Sequence, residues 1–175
     1  TKRRDAVLLD SGANLECRPK HLLQFARMGV LYAKIAFDLE RPRVGLLSVG
    51  EEQTKGNSLT REAHRLFKAS HFNFFWNIEA RELFAGDVDV IVCDGFVGNI
   101  ILKFAGGLGI AISELIEQQL STKIPEKELS KLIQTIVDAT NYTKTIGGGP
   151  LYGVNGPVFV GHGSSKASNV VGAIK

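Results

Sequence analysis

The sequence predicts an α/β fold, an open and mainly parallel sheet flanked by helices with a helical hairpin in its second half. Three observations carry that expectation. Short β-branched apolar runs alternate along the chain with apolar-faced segments of helical length. Four of the runs end in a polar, glycine-bearing turn, at 10–14, 50–57, 94–99 and 162–165. A length of 175 residues, 44% hydrophobic and 22% charged, suits a globular domain with a sizeable core. If the strands are parallel, the four turns share the carboxyl edge of the sheet, where open α/β folds bind ligands.

Ala6 to Asp10 reads as a buried strand, and Ser11-Gly12-Ala13-Asn14 as a turn small enough for a ligand to approach the backbone. Pro19 suits the first turn of a helix running to about Phe37, with Leu22, Leu23, Ala26, Val30 and Ala33 on one face and Arg41-Pro42 as its stop. Val44 to Val49 is the next strand. The charged loop 50–57 follows, then a helix with Leu59, Ala63, Leu66 and Phe67 on one face. Phe72 to Asn77 alternates loosely as a strand, with Trp76 expected in the core and one or two helical turns over Glu79 to Ala85.

Val90 to Cys93 is a short apolar strand. Asp94-Gly95-Phe96-Val97-Gly98-Asn99 turns from it into a helix reaching about Leu120, loosened early by Gly106, Gly107 and Gly109. After Ile124-Pro125, Leu129, Leu132, Ile133, Ile136 and Val137 mark a second amphipathic helix. The pair forms a hairpin over 100–139, inside a chain read as a single α/β domain over 1–175 or as the carboxyl-terminal portion of a longer one. The hairpin's apolar face beside Lys123, Lys127 and Lys131 fits a core or dimer contact, or a membrane surface. Thr140 to Asn155 reads as a long glycine-rich surface loop, Pro157 to Gly161 as a last strand, and Ser164 or Ser165 as the N-cap of a helix containing Val170, Val171 and Ile174. The chain enters a strand soon after Thr1 and stops in mid-helix, so both ends read as cut.

A net charge of +3 is too small to argue for nucleic acid, although Lys2, Arg3, Arg4, Arg18 and Lys20 form local basic patches. Two cysteines, Cys17 and Cys93, give neither a disulfide framework nor metal-ligand spacing, which fits a reducing cytoplasm and predicts no metal site. No uncharged apolar run reaches bilayer-spanning length, because Lys103 and Glu114 break the nearest one.

Turns of this kind suit an anion. A phosphate needs a cation, N–H donors and glycines that leave room for its oxygens. Lys55, Asn99, the helix start after Gly98, and Ser164 or Ser165 supply that set. The Lys55 loop is not a Walker A loop, since the lysine precedes the second glycine and no Ser or Thr follows it directly. Asp94 repels an anion, so it either orients Lys55 or a turn N–H, or simply forms an Asx-turn. His162 is the one histidine in a glycine turn at a strand end, where it donates to an oxyanion or moves a proton; His21, His64 and His71 are expected at the surface. Cys93 reads as a buried structural thiol. The candidate site therefore comprises Lys55, Asn99 and His162 as catalytic residues. Asp10, Asn14, Gly50, Glu51, Gly56, Asn57, Asp94, Gly95, Gly98, Gly163, Ser164 and Ser165 complete it as substrate-binding residues.

The runs Leu8-Leu9-Asp10-Ser11-Gly12-Ala13-Asn14, Arg43-Val44-Gly45-Leu46-Leu47-Ser48-Val49-Gly50-Glu51-Glu52, Lys55-Gly56-Asn57, Asn77-Ile78-Glu79-Ala80-Arg81, Cys93-Asp94-Gly95-Phe96-Val97-Gly98-Asn99 and His162-Gly163-Ser164-Ser165 resemble the PlsX family of bacterial phosphate acyltransferases. The resemblance implies an α/β fold related to the isocitrate and isopropylmalate dehydrogenases and to phosphotransacetylase. It implies transfer of a long acyl chain from acyl-acyl-carrier-protein to inorganic phosphate, without a cofactor, for phospholipid synthesis. It also implies a homodimer with peripheral membrane contact, and a family chain longer at its amino-terminal side. Two other functions compete. A β-decarboxylating, NAD-dependent dehydrogenase would need a dinucleotide fingerprint, yet no G-x-G-x-x-G follows a strand. A non-catalytic membrane or carrier-protein binding module would need only the apolar hairpin.

Overall fold

The computed structural model describes residues 5–141 and 148–161, together with residues 167, 170 and 171. The chain forms two compact units, Thr1–Asn99 and Ile100–Lys175.

The first unit contains β1 (Val7–Leu9), α1 (Pro19–Ala36), β2 (Arg43–Leu47), α2 (Ser58–Lys68), β3 (Asn73–Ile78), a 3₁₀ turn at Ala80–Glu82, β4 (Val90–Val92), and the start of α3 (Gly95–Leu120). Its strands form one sheet in the order β1-β4-β2-β3, and every neighbouring pair is parallel. The turns after all four strands therefore leave from the same edge. Leu22, Ala26 and Ala33 of α1 and Ala63 and Phe67 of α2 pack into one fully buried cluster with Val44, Leu46, Val90 and Val92. At roughly 1.5–3 kcal/mol per buried large apolar side chain, this cluster is the main force holding the helices to the sheet.

Local chemistry sets the ends of these elements. Pro19 opens α1 with its φ already helical, and the His21 ring accepts from the Arg18 N–H at 3.2 Å. At the amino edge, Asp89 accepts from the Arg43 backbone N–H at 2.8 Å and pairs with its guanidinium at 3.2 Å, tying the start of β2 to the start of β4. β1 is half-buried rather than buried, because it is an outer strand with a neighbour on one side only.

The second unit holds the rest of α3, then α4 (Glu126–Thr140), β5 (Gly148–Pro150) and β6 (Phe159–Gly161). Two expectations are corrected here. β5 is a strand inside the stretch read as loop, because absent side chains do not prevent Gly148 and Gly149 from pairing through their backbones. β6 pairs antiparallel with β5 in a separate two-stranded sheet, so the strand preceding His162 does not join the parallel sheet. Lys103 and Glu114 interrupt the apolar run of α3, as expected, yet the helix as a whole is strongly apolar. With a mean hydropathy of 1.6 over its most apolar 18 residues, it is long and apolar enough to cross a membrane by length and composition.

Candidate active site

Asp10 stands directly after β1, and its carboxylate organises the turn that follows. One oxygen accepts from the Gly12 and Ala13 backbone N–H groups at 3.0 Å each; the other accepts from the Asn14 N–H at 2.7 Å and the Asn14 side-chain amide at 2.8 Å. Burial alone would raise the Asp10 pKa, but these donors outweigh it and hold the carboxyl below its ordinary value. The turn is then tied to the one after β4. The Gly95 N–H donates to the Asn14 carbonyl at 2.9 Å, the Asp10 N–H to the Cys93 carbonyl at 2.9 Å, and the Cys93 thiol to the Asp10 carbonyl at 3.4 Å. A Cβ on Gly98 would run into the Asp10 carbonyl oxygen, so this first turn of α3 reaches the end of β1 only because residue 98 has no side chain. Asp94 accepts from the Val97 N–H at 2.8 Å, as an N-cap does. The Asn99 side chain lies over Gly12, whose Cβ, were there one, would sit 3.7–3.8 Å from it.

The turn after β2 is built separately. The Lys55 N–H donates to the Glu52 carbonyl at 2.9 Å, closing a tight turn, and the Lys55 stem lies against Gly50. Gly56 has φ +91, a conformation that strains other residues, and leaves room for Thr60. Asn57 caps α2 by accepting from the Thr60 N–H at 2.9 Å. Glu51 is exposed, 3.9 Å from Arg81, which also pairs with Glu79 at 3.0 Å. These residues, with Glu52, Gln53 and Trp76, line an open depression of about 500 Å³.

Similarity to known proteins supplies what geometry alone does not. The family described as "Fatty acid synthesis protein" matches residues 1–175. The chain belongs to that family. It is 46% identical over 177 residues to a phosphate acyltransferase of Syntrophotalea carbinolica, covering 99% of this chain and 51% of the relative. It is 48% identical over 173 residues to a phosphate acyltransferase of Pelotomaculum thermopropionicum, covering 97% and 50%. With one of Aquifex aeolicus it shares 44% over 175 residues, covering 97% and 51%. The chain thus spans about half the length of the curated relatives it matches.

In this fatty acid synthesis protein family member, β4 and β2 are neighbours, so the turns carrying Asn99 and Lys55 leave adjacent strands at one edge. Asp10, Asn14, Asp94, Gly95, Gly98 and Asn99 form one hydrogen-bonded and packed corner; Gly50, Glu51, Lys55, Gly56 and Asn57 form the other. His162, Gly163, Ser164 and Ser165 lie outside the described residues. The four expected corners on one sheet reduce to the turns after β1, β2 and β4. Within them the acidic and amide residues Asp10, Asp94 and Asn57 hold backbone N–H groups, whereas, among the described residues, the Lys55 ammonium and the Asn99 carboxamide have no hydrogen-bond or ion-pair partner.

Two further expectations are corrected. His64 is fully buried rather than at the surface; it precedes Phe67 by three residues, so it shares that residue's inward face, a spacing that outweighed its polarity. Trp76 is 39% exposed rather than core, because β3 is the outer strand and the indole stacks on Phe74, with ring centroids 6.4 Å apart. Cys93 is buried, and burial pushes its thiol pKa well up, so it is no nucleophile at neutral pH.

Proposed function

We propose that this chain carries part of the active site of an enzyme that transfers an acyl group from acyl-acyl-carrier-protein to inorganic phosphate, in the cytoplasm, on the way to phospholipid. The observation that carries the reading is the pair of uncommitted groups, Lys55 ammonium and Asn99 carboxamide, on turns from neighbouring parallel strands. The family and the activity named for the relatives support it. In this reading Lys55 holds the phosphate, and Asn99 donates to the oxygen of the thioester carbonyl as it becomes an oxyanion. A phosphate oxygen forms the new bond to the carbonyl carbon, the carbon–sulfur bond breaks, and the phosphate proton passes to the departing thiolate. The attacking group is phosphate, so positioning replaces a protein nucleophile. The fold is then a relative of the isocitrate and isopropylmalate dehydrogenases.

Lys55→Ala or Asn99→Ala, in a protein of the relatives' full length carrying these residues, is expected to lower acyl-phosphate formation at least about tenfold, or about 1.4 kcal/mol of transition-state binding. Unchanged rates in folded variants would remove both residues from the mechanism.

The same reading includes a homodimer with peripheral membrane contact through α3 and α4. Phe104 (68% exposed), Leu108 and Leu115 (60% exposed) support it, since large apolar groups in such number are costly in water. Phe104→Glu with Leu115→Glu is expected to abolish either dimer sedimentation or liposome flotation; retention of both behaviours would refute the contact.

A further inference from the structure

We propose that Asn77 and His64 are positioning residues for Lys55, acting through the carbonyl of Glu52. The proposal rests on the reading of Lys55 as the cation that holds phosphate, and it concerns how a flexible lysine on an exposed turn is kept in place. Asn77, at the end of β3, is 2% exposed, and its amide nitrogen donates to the Glu52 carbonyl at 3.1 Å. That same carbonyl accepts the Lys55 N–H at 2.9 Å. One oxygen therefore anchors the turn twice, once within the loop and once to the sheet. With the Asn77 nitrogen committed to Glu52, its Oδ1 faces the imidazole of His64 at 2.8 Å, so the His64 Nδ1 carries the proton and donates.

His64 is itself immobilised. It is fully buried in α2, with the rings of Phe74 and Trp76 edge-on at 5.0 and 5.1 Å, and its Nε2 is buried with no hydrogen-bond partner among the described residues. A buried imidazole with only one nitrogen satisfied is a poor way to fill a core, because an apolar ring would fill the space without the desolvation cost. What the imidazole adds is direction. It fixes the rotation of the Asn77 amide, so that the nitrogen rather than the oxygen meets the Glu52 carbonyl. The chain His64, Asn77, Glu52 carbonyl, Lys55 thus runs from the core of α2 to the turn at the carboxyl edge. Such a chain restricts the phosphate-binding cation without touching the phosphate.

The test is a set of kinetic cycles in a protein of the relatives' full length carrying these residues, assayed with acyl-carrier-protein donor and inorganic phosphate. His64→Phe keeps the ring and loses the donor; Asn77→Leu keeps the volume and loses both polar atoms; His64→Asn keeps a donor near the place of Nδ1. His64→Phe and Asn77→Leu are expected to raise the KM for phosphate about tenfold while the KM for the acyl donor stays within about twofold. His64→Asn is expected to recover most of that loss. In a Lys55→Ala background the same changes are expected to cost less than about twofold, because the group they position is already gone.

Equal losses in both backgrounds, or an unchanged phosphate KM in folded variants, would overturn the positioning role. A fully active Lys55→Ala protein would instead refute the reading of Lys55, and this proposal with it. Where a core variant folds poorly, hydrogen exchange over residues 50–57 in the milder Asn77→Ser variant serves. Faster exchange there, with α2 still protected, supports the link, and unchanged exchange contradicts it.

Discussion

Gly98→Ala is expected to lower the stability of the first unit by about 3 kcal/mol, at the upper end of what one added methyl costs in a packed site. The new Cβ would fall on the carbonyl oxygen of Asp10 and within 3.1 Å of the Cys93 sulfur. The obstructing atom is backbone, so no side-chain rotation relieves the clash. Nor can the backbone yield cheaply, since Asp10 and Cys93 are bonded to each other across β1 and β4, and Leu9 pairs with Val92 in register. The start of α3 must move instead, taking Asp94 and Asn99 with it. Gly107→Ala in the same helix is the control, because nothing lies within 4 Å of its would-be Cβ. There alanine's better helix propensity predicts a gain of up to about 1 kcal/mol. Urea unfolding of the two variants checks both signs, and equal stability of Gly98→Ala and the parent would show that this close approach is absent.

Asp10→Asn is the second large expected effect, at about 2–4 kcal/mol near neutral pH. The carboxylate takes part in four hydrogen bonds. A neutral amide weakens those to the three backbone donors and presents its own N–H groups to some of them. The folded pKa of Asp10 lies below its ordinary value, so ionised Asp10 contributes stability that is fully present above the unfolded carboxylate pKa and is lost as pH falls through the folded pKa. The gap between parent and Asp10→Asn should therefore be flat from pH 7 to about 5 and narrow at lower pH, below the roughly 3.9 of a free aspartate. Denaturant midpoints measured across that range test it; a gap independent of pH would mean that the turn does not depend on the charge.

Much of this architecture is legible in single residues. Pro19, the run Val90-Ile91-Val92 and the face of Ala63 and Phe67 announce their elements, because capping and burial leave marks within a few positions. The strand order is not legible, since pairing β4 between β1 and β2 is decided by contacts dozens of residues apart. For the same reason β6 reads like a fifth member of the parallel sheet until its partner, the glycine-rich β5, is seen. At the site, Asp94 and Asn57 illustrate how chemistry and local structure use the same residue types. Each looks like a ligand-facing polar residue, and each is occupied as a helix cap. Their occupation sharpens the site: of the expected catalytic residues, Lys55 and Asn99 keep side chains with no hydrogen-bond or ion-pair partner among the described residues. His64 and Asn77 escape a sequence reading altogether, since a buried polar pair announces itself only once the burial of both is known.

The most direct measurement is the incorporation of labelled inorganic phosphate into acyl phosphate from an acyl-acyl-carrier-protein donor, run on these 175 residues and on a protein of the relatives' full length that carries them. Expected are labelled acyl phosphate from the longer protein and a loss of at least about tenfold with Lys55→Ala or Asn99→Ala. Donor consumption without labelled product, or labelling undiminished in both variants, would contradict phosphate acyl transfer at this edge of the sheet.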